Sequence, residues 1–189
     1  MVKKDLRFTM ANICIMSSGK GTNAENIIKY FKGTDVVVKF IVTDKICGAT
    51  TIGYNYGIDH TILIDWKSIT RLLKEYKIDL VVLAGFIKLV PKEFLSEFKT
   101  INIHPSLLPK FGGKGMWGLN VHKSVIDSGE SESGITIHWV NSEYDKGEII
   151  SQFKCLIDKD DNPEILQQKI KELEMEYFPK VISDVLLTL

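Results

Sequence analysis

The chain has 189 residues, 44% of them hydrophobic and 25% charged, the balance of an ordinary globular protein. Its 24 Lys and Arg offset 24 Asp and Glu, which argues against the basic footprint of a general nucleic-acid binder but allows a small anionic ligand at a locally positive site. Cys14, Cys47 and Cys155 are few and far apart and there is no run of about 20 apolar residues, so a disulfide framework, a thiolate zinc site and a membrane span are not expected, and a reducing, cytoplasmic setting fits.

At this length the chain reads as one domain over residues 1–189 that buries roughly two-thirds of its unfolded surface. About ten N-terminal residues read as a flexible extension. Residues 12–17 are an apolar run, followed by a loop at 18–22 and a helix at 23–32 with Ala24, Ile27, Ile28 and Phe31 at helical spacing. A β-branched run at 36–42 predicts a second strand, 47–56 a weak helix, 60–64 a short strand and 68–76 a helix. Residues 79–84, DLVVLA, read as a strand buried on both faces. A short helix at 91–98 and a strand at 100–103 follow. The segment 105–118 is a loop with four glycines and two prolines, ahead of a helix at 119–126. Residues 135–140 and 148–157 read as two antiparallel strands, and 163–187 as a long helix with a kink or break at Pro179. The alternation predicts an α/β fold: an open, mostly parallel twisted sheet, Rossmann-like, with helices on both faces and an antiparallel addition near the C-terminus.

Gly19, Lys20, Gly21, Thr22, Asn23 and Ala24 lie between a predicted strand and helix with G-x-G-x-x-A spacing. Glycines let backbone N–H groups approach an anion, and a helix N-terminus favours negative charge. Thr22 and Asn23 either cap the helix or touch the same anion; the plainer reading is a tight turn without a ligand. Asp44, 25 positions after Gly19, stands where dinucleotide-binding folds keep a ribose carboxylate, which gives a local NAD-type hypothesis. The Walker A spacing is absent.

In INIHPSLLP, residues 101–109, Asn102 and His104 are two positions apart at a predicted strand end, so they share one side of the chain. An Asn amide donates to a carbonyl oxygen, and a His donates to a developing oxyanion or takes a proton from an amine. A His there is also commonly a structural hydrogen-bonder. Asp145 lies in a turn between the late strands. Beside His104 it would raise the imidazole pKa; alone it would make an Asx turn. Thr136 and His138 share a face, with His138 either a core hydrogen-bonder or a supporting residue, and His122 on a short helix reads as partly exposed. No His, Cys and acidic spacing suits a metal.

AGF at 84–86, NIHPSLLP at 102–109 and GITIHWVNSEYDKG at 134–147 resemble the folate-dependent formyltransferases, and SSGKGTN at 17–23 is similar to the members that formylate a glycinamide ribonucleotide. The resemblance spans residues 11–185. Members acting on a charged tRNA add a C-terminal domain and those hydrolysing the folate add an N-terminal one; neither is expected here. The resemblance implies that Asn102, His104 and Asp145 are catalytic, with Asn102 and a protonated His104 stabilising negative charge and Asp145 keeping His104 charged. It implies that Gly19, Lys20, Gly21, Thr22 and Asn23, with Lys171 and Glu174, hold the phosphate and ribose of 5'-phosphoribosylglycinamide. It assigns Phe86, Ile87, Lys88, Leu89, Val90, Asn102, Thr136 and His138 to the folate. The implied co-substrate is 10-formyltetrahydrofolate, the implied reaction a metal-free formyl transfer to the ribonucleotide amine in de novo purine (IMP) biosynthesis. Two departures stand out. Only Lys67 offers itself for the folate's glutamate tail, and the glycine-rich loop 109–118 over the folate site has no assigned contact. Hydrolysis of the formylfolate, an NAD(P)-dependent oxidoreductase and a ligand-binding module without turnover are the rival readings, and a homodimer is left open.

Overall fold

Strand and helix alternate as the periodicities predict. The computed structural model describes residues 10–189; most of the expected N-terminal extension, residues 1–9, lies outside them. The elements are β1 (Ala11–Ser17), α1 (Thr22–Phe31), β2 (Val36–Thr43), α2 (Gly48–Tyr56), β3 (Asp59–Ile62), α3 (Trp66–Glu75), β4 (Leu80–Leu83), α4 (Lys92–Leu95), β5 (Thr100–His104), α5 (Leu119–Asp127), β6 (Glu132–Trp139), β7 (Ile149–Leu156) and α6 (Pro163–Leu186).

One sheet runs β3-β2-β1-β4-β5-β6-β7. The strands from β3 to β5 pair in parallel, while β5–β6 and β6–β7 pair antiparallel. Successive side chains of a strand point to opposite faces, and here both faces are covered. Ile13, Ile15, Leu80 and Val82 pack with Ala24, Ile27 and Phe31 of α1 and with Leu166, Ile170 and Phe178 of α6. Cys14, Met16, Val81 and Leu83 pack the other way, on Ile69 and Leu73 of α3 and on Phe94 and Phe98. The all-apolar reading of β4 is thereby explained: all four of its residues are buried.

Several boundaries differ from the sequence reading. The helix expected at 91–98 is a single turn, Lys92–Leu95, because the Ser96 hydroxyl donates to the Glu93 carbonyl at 2.8 Å and competes for the helical acceptors. β6 begins at Glu132, three residues early, because β7 supplies partners for Glu132, Ser133 and Gly134. α6 neither stops nor breaks at Pro179. Proline lacks the N–H that would bond Met175 O, and Asn26 Nδ2 of α1 donates to that carbonyl instead, at 2.8 Å. The start of α6 follows its sequence signal: Asn162 Oδ1 accepts from Ile165 N at 2.9 Å and Pro163 opens the first turn.

Candidate active site

β1 is followed by β2 on one side, while β4 lies on its other side. Open α/β sheets bind ligands at such a reversal, beyond the strands' C-terminal ends. The loops leaving β1 and β4 are tied there, with Ser18 N donating to Gly85 O at 3.0 Å and Ile87 N donating to Ser18 Oγ at 3.1 Å.

A cavity of about 830 Å³ opens over this seam. One end is formed by Gly19, Lys20, Gly21, Thr22 and Asn23, faced by Lys171 and Glu174 of α6. Gly21 takes φ 79°, and a Cβ there would press on Ala49 and Ile52 of α2, so the turn requires glycine. It is itself the N-cap of α1, with no side chain on the helix N-terminal N–H groups. The capping reading of Thr22 and Asn23 therefore does not hold. Asn23 Nδ2 instead donates to Glu174 Oε2 at 2.9 Å. Burial pushes the Glu174 carboxyl up, against the opposing pull of Asn23 and Lys171. Asp44 does not line the cavity and its Oδ1 is buried without a partner, which removes the second support of the dinucleotide reading.

Asn102, His104 and Asp145 all line the same cavity. β5 delivers the first two from one side. Asp145 sits between β6 and β7 with φ 56°, a left-handed conformation that Asp tolerates better than most residues with a Cβ. Its carboxylate does not make an Asx turn; that role falls to Asn141, whose Oδ1 accepts from Glu143 N at 2.9 Å. Asp145 Oδ2 accepts from Gly113 N at 2.8 Å, and Oδ1 lies 3.5 Å from His104 Nδ1 and 3.7 Å from His138 Nε2. Burial would raise this carboxyl, but the neighbouring imidazoles and the Gly113 N–H outweigh it and hold Asp145 below its ordinary value.

His104 Nε2 lies 2.8 Å from Phe111 O. A carbonyl only accepts, so Nε2 carries the proton and Nδ1 faces Asp145. Asp145 raises the His104 pKa as expected, but it does not keep the imidazole charged. Burial disfavours the imidazolium more strongly than Asp145 and Phe111 O favour it, and His104 lies below its ordinary 6.5. Burial therefore tips the resting imidazole toward its neutral form.

A second, smaller cavity of about 50 Å³ adjoins the first. Phe86, Lys88, Leu89 and Val90 line it with Leu83, Val140, Asn141 and His138, whereas Ile87 lines the larger one. Phe86, Asn102, Tyr144 and Asp145 border both. Thr136 reaches neither. It is fully buried; its hydroxyl donates to Ser106 O at 2.6 Å and accepts from Leu108 N at 3.0 Å, so it fixes the loop after β5. Lys67, the candidate for the glutamate tail, is on neither lining and sits at the start of α3.

Sequence reasoning missed His122 and Tyr144. His122 is buried rather than partly exposed, lines the larger cavity, and leaves Nδ1 without a partner. Desolvation, aided by His104, pushes its pKa down to about 4. The loop 113–118 also lines the larger cavity, with Trp117 56% exposed at its rim.

A doubly covered, mostly parallel sheet with an Asn-x-His strand end beside a turn carboxylate is the arrangement the resemblance to the formyl transferases implies. The sequence pattern of the formyl transferase family matches residues 65–182, and the chain belongs to that family. Within the family it is similar to phosphoribosylglycinamide formyltransferases. It is 34% identical over 186 residues to the chloroplastic enzyme of Arabidopsis thaliana, covering 90% of this chain but only 64% of that protein's length. It is 33% identical over 191 residues to the Haemophilus influenzae enzyme, covering 92% of this chain and 86% of the relative. The crystal structure of phosphoribosylglycinamide formyltransferase from Anaplasma phagocytophilum superposes with a TM-score of 0.85 at 30% identity, over 94% of this chain and 87% of that one.

Proposed function

We propose that this protein transfers the formyl group of 10-formyltetrahydrofolate to the amine of 5'-phosphoribosylglycinamide, a step of purine synthesis. The observation that carries the reading is that Asn102 and Asp145 border both cavities at once. A ribonucleotide laid along the larger one, with its phosphate on Gly19–Asn23 and Lys171, brings its amine to the wall that the folate shares. Phosphate recognition there needs only the open N–H groups of α1, the dipole of that helix and the two exposed lysines, Lys20 and Lys171. Glu174, held by Asn23, lies on the ribose side.

The residues of the smaller cavity suit the folate's heterocycle. Leu83, Phe86, Val90 and Val140 give apolar walls, and Asn141 and Asn102 give polar edges. The folate supplies the formyl group. The chain supplies charge stabilisation and a proton path. Asn102 donates an N–H toward the formyl oxygen as negative charge grows on it, a contact worth about 10²–10³ in rate. His104 has its Nε2 proton engaged by Phe111 O, so Nδ1 is the atom that takes the amine proton. The imidazolium then formed stands 3.5 Å from Asp145 Oδ1, which stabilises it, and as the bond from the formyl carbon to the folate nitrogen breaks it returns the proton to that nitrogen, releasing tetrahydrofolate and the formamide. Anchoring the phosphate far from the reaction centre orients the amine and lowers the entropic part of the barrier.

The supporting experiment is an omission assay with both substrates. Folate turnover that requires the ribonucleotide supports transfer. Turnover without it assigns hydrolysis, which the same three residues could serve with water in place of the amine.

A further inference from the structure

We infer that His138 is a positioning residue that decides which end of the Asn102 amide faces the reacting carbonyl. This rests on the formyl-transfer reading of the site and adds a control on it from outside the catalytic trio.

His138 is 2% exposed, and both of its ring nitrogens are engaged. Nδ1 lies 2.8 Å from Trp139 O. The carbonyl only accepts, so Nδ1 carries the proton and, in the neutral ring, Nε2 is a pure acceptor. Nε2 lies 3.1 Å from the Asn102 side-chain amide, nearer than Asp145 Oδ1 at 3.7 Å. An acceptor is satisfied by the amide NH2 and not by its oxygen. Nδ2 is therefore the atom turned toward His138, and its second N–H stays free for the formyl oxygen. With the other tautomer, Nε2–H would attract Asn102 Oδ1 and turn the NH2 group away.

Local backbone geometry fixes that tautomer. The β6–β7 ladder shifts register between Ile137 and His138, and bulges of this kind re-aim side chains. Val140 N donates to Thr100 O at 2.9 Å, which holds the peptide whose carbonyl meets Nδ1. Gly147 packs directly on Trp139 O; a Cβ at 147 would collide with that oxygen and stand 3.3 Å from His138 Nδ1. The chain of control runs from Gly147 to Trp139 O, to the His138 proton, to the Asn102 amide.

Two substitutions separate this role from packing or folate contact. In His138→Gln the amide reaches the place of Nε2 and its oxygen can accept from Asn102. In His138→Asn the amide reaches only the place of Nδ1, so the bond to Trp139 O survives and Asn102 loses its acceptor. The expected result is a kcat lowered about 100-fold in His138→Asn with KM for both substrates little changed, and most of the wild-type kcat restored in His138→Gln. Equal activity in both variants, or equal losses dominated by KM, overturns the proposal. Nitrogen-15 NMR of the wild-type imidazole decides independently of turnover and of how the variants fold. It should show the neutral His138 ring protonated on Nδ1 and bare on Nε2, and the reverse tautomer overturns the proposal. If wild-type protein shows no ribonucleotide-dependent turnover, the formyl-transfer reading fails, and the NMR result still reports on the tautomer.

Discussion

His104 and Asp145 face each other at 3.5 Å, and the same loop holds both: Phe111 O accepts from His104 Nε2, and Gly113 N donates to Asp145 Oδ2. The two bonds orient the imidazole and the carboxylate from opposite ends. Asp145→Asn keeps the shape of the pair and removes its charge. Turnover should fall by about 10²–10⁴-fold with much smaller changes in substrate affinity. Equal losses in both would assign Asp145 to binding.

The same pair sets a pH dependence. His104 accepts a proton only when neutral, and its pKa lies below 6.5. The acid limb of kcat/KM should therefore have an apparent pKa under 6.5. Asp145 favours the charged imidazole, so in Asp145→Asn the residual activity should show that limb moved further to acid. A limb that moves toward neutral pH would contradict the assignment.

His122 predicts a loss of stability in acid. Its folded pKa of about 4 lies below the ordinary 6.5. A depressed pKa means that its stabilising contribution is whole above pH 6.5 and is lost as pH falls through about 4, when a buried neutral ring must take up a proton. The difference amounts to on the order of 2 kcal/mol once its edge on the cavity is allowed for. Melting temperatures recorded from neutral to pH 4 should fall less steeply in His122→Leu than in wild type.

Much of this architecture is legible in the sequence because its signals are local. The glycines at 19 and 21, the apolar run of β4 and the two-residue spacing of Asn102 and His104 each specify their own geometry. What was not legible depends on distant partners. His122 has polar neighbours at Asn120, Lys123 and Ser124, which read as a half-exposed helix; its burial comes from the packing of α5 against α6. The break that Pro179 left open does not occur, and nothing near it reveals that Asn26, on another helix, bonds the carbonyl it leaves open. Alternation correctly set Thr136 beside His138, yet the loop after β5 folds over Thr136 and takes its hydroxyl. The net pKa of His104 depends on burial, which no spacing encodes.

Gly21 tests the phosphate end. Gly21→Ala places a Cβ at φ 79° and within 2.8 Å of the Ala49 Cα. The left-handed conformation alone costs about 1–2 kcal/mol. Melting temperature should drop, and KM for the ribonucleotide should rise more than KM for the folate. A KM effect confined to the folate would move the anion site elsewhere.

Trp117 offers an optical report on the cavity. It lies exposed on the lining, while Trp66 is packed against Phe86 and Phe94. Ribonucleotide or folate binding should change tryptophan emission in wild type and leave it nearly unchanged in Trp117→Phe. An undiminished change in that variant would place the signal at another tryptophan.

The most direct test follows one atom. The folate is supplied with a carbon-13-labelled formyl group, the ribonucleotide is added, and NMR records where the label goes. The account predicts that it appears in the formamide of the ribonucleotide, at a rate that requires both substrates and collapses in Asp145→Asn. Label released as free formate, at a rate indifferent to the ribonucleotide, would contradict it and make the protein a hydrolase.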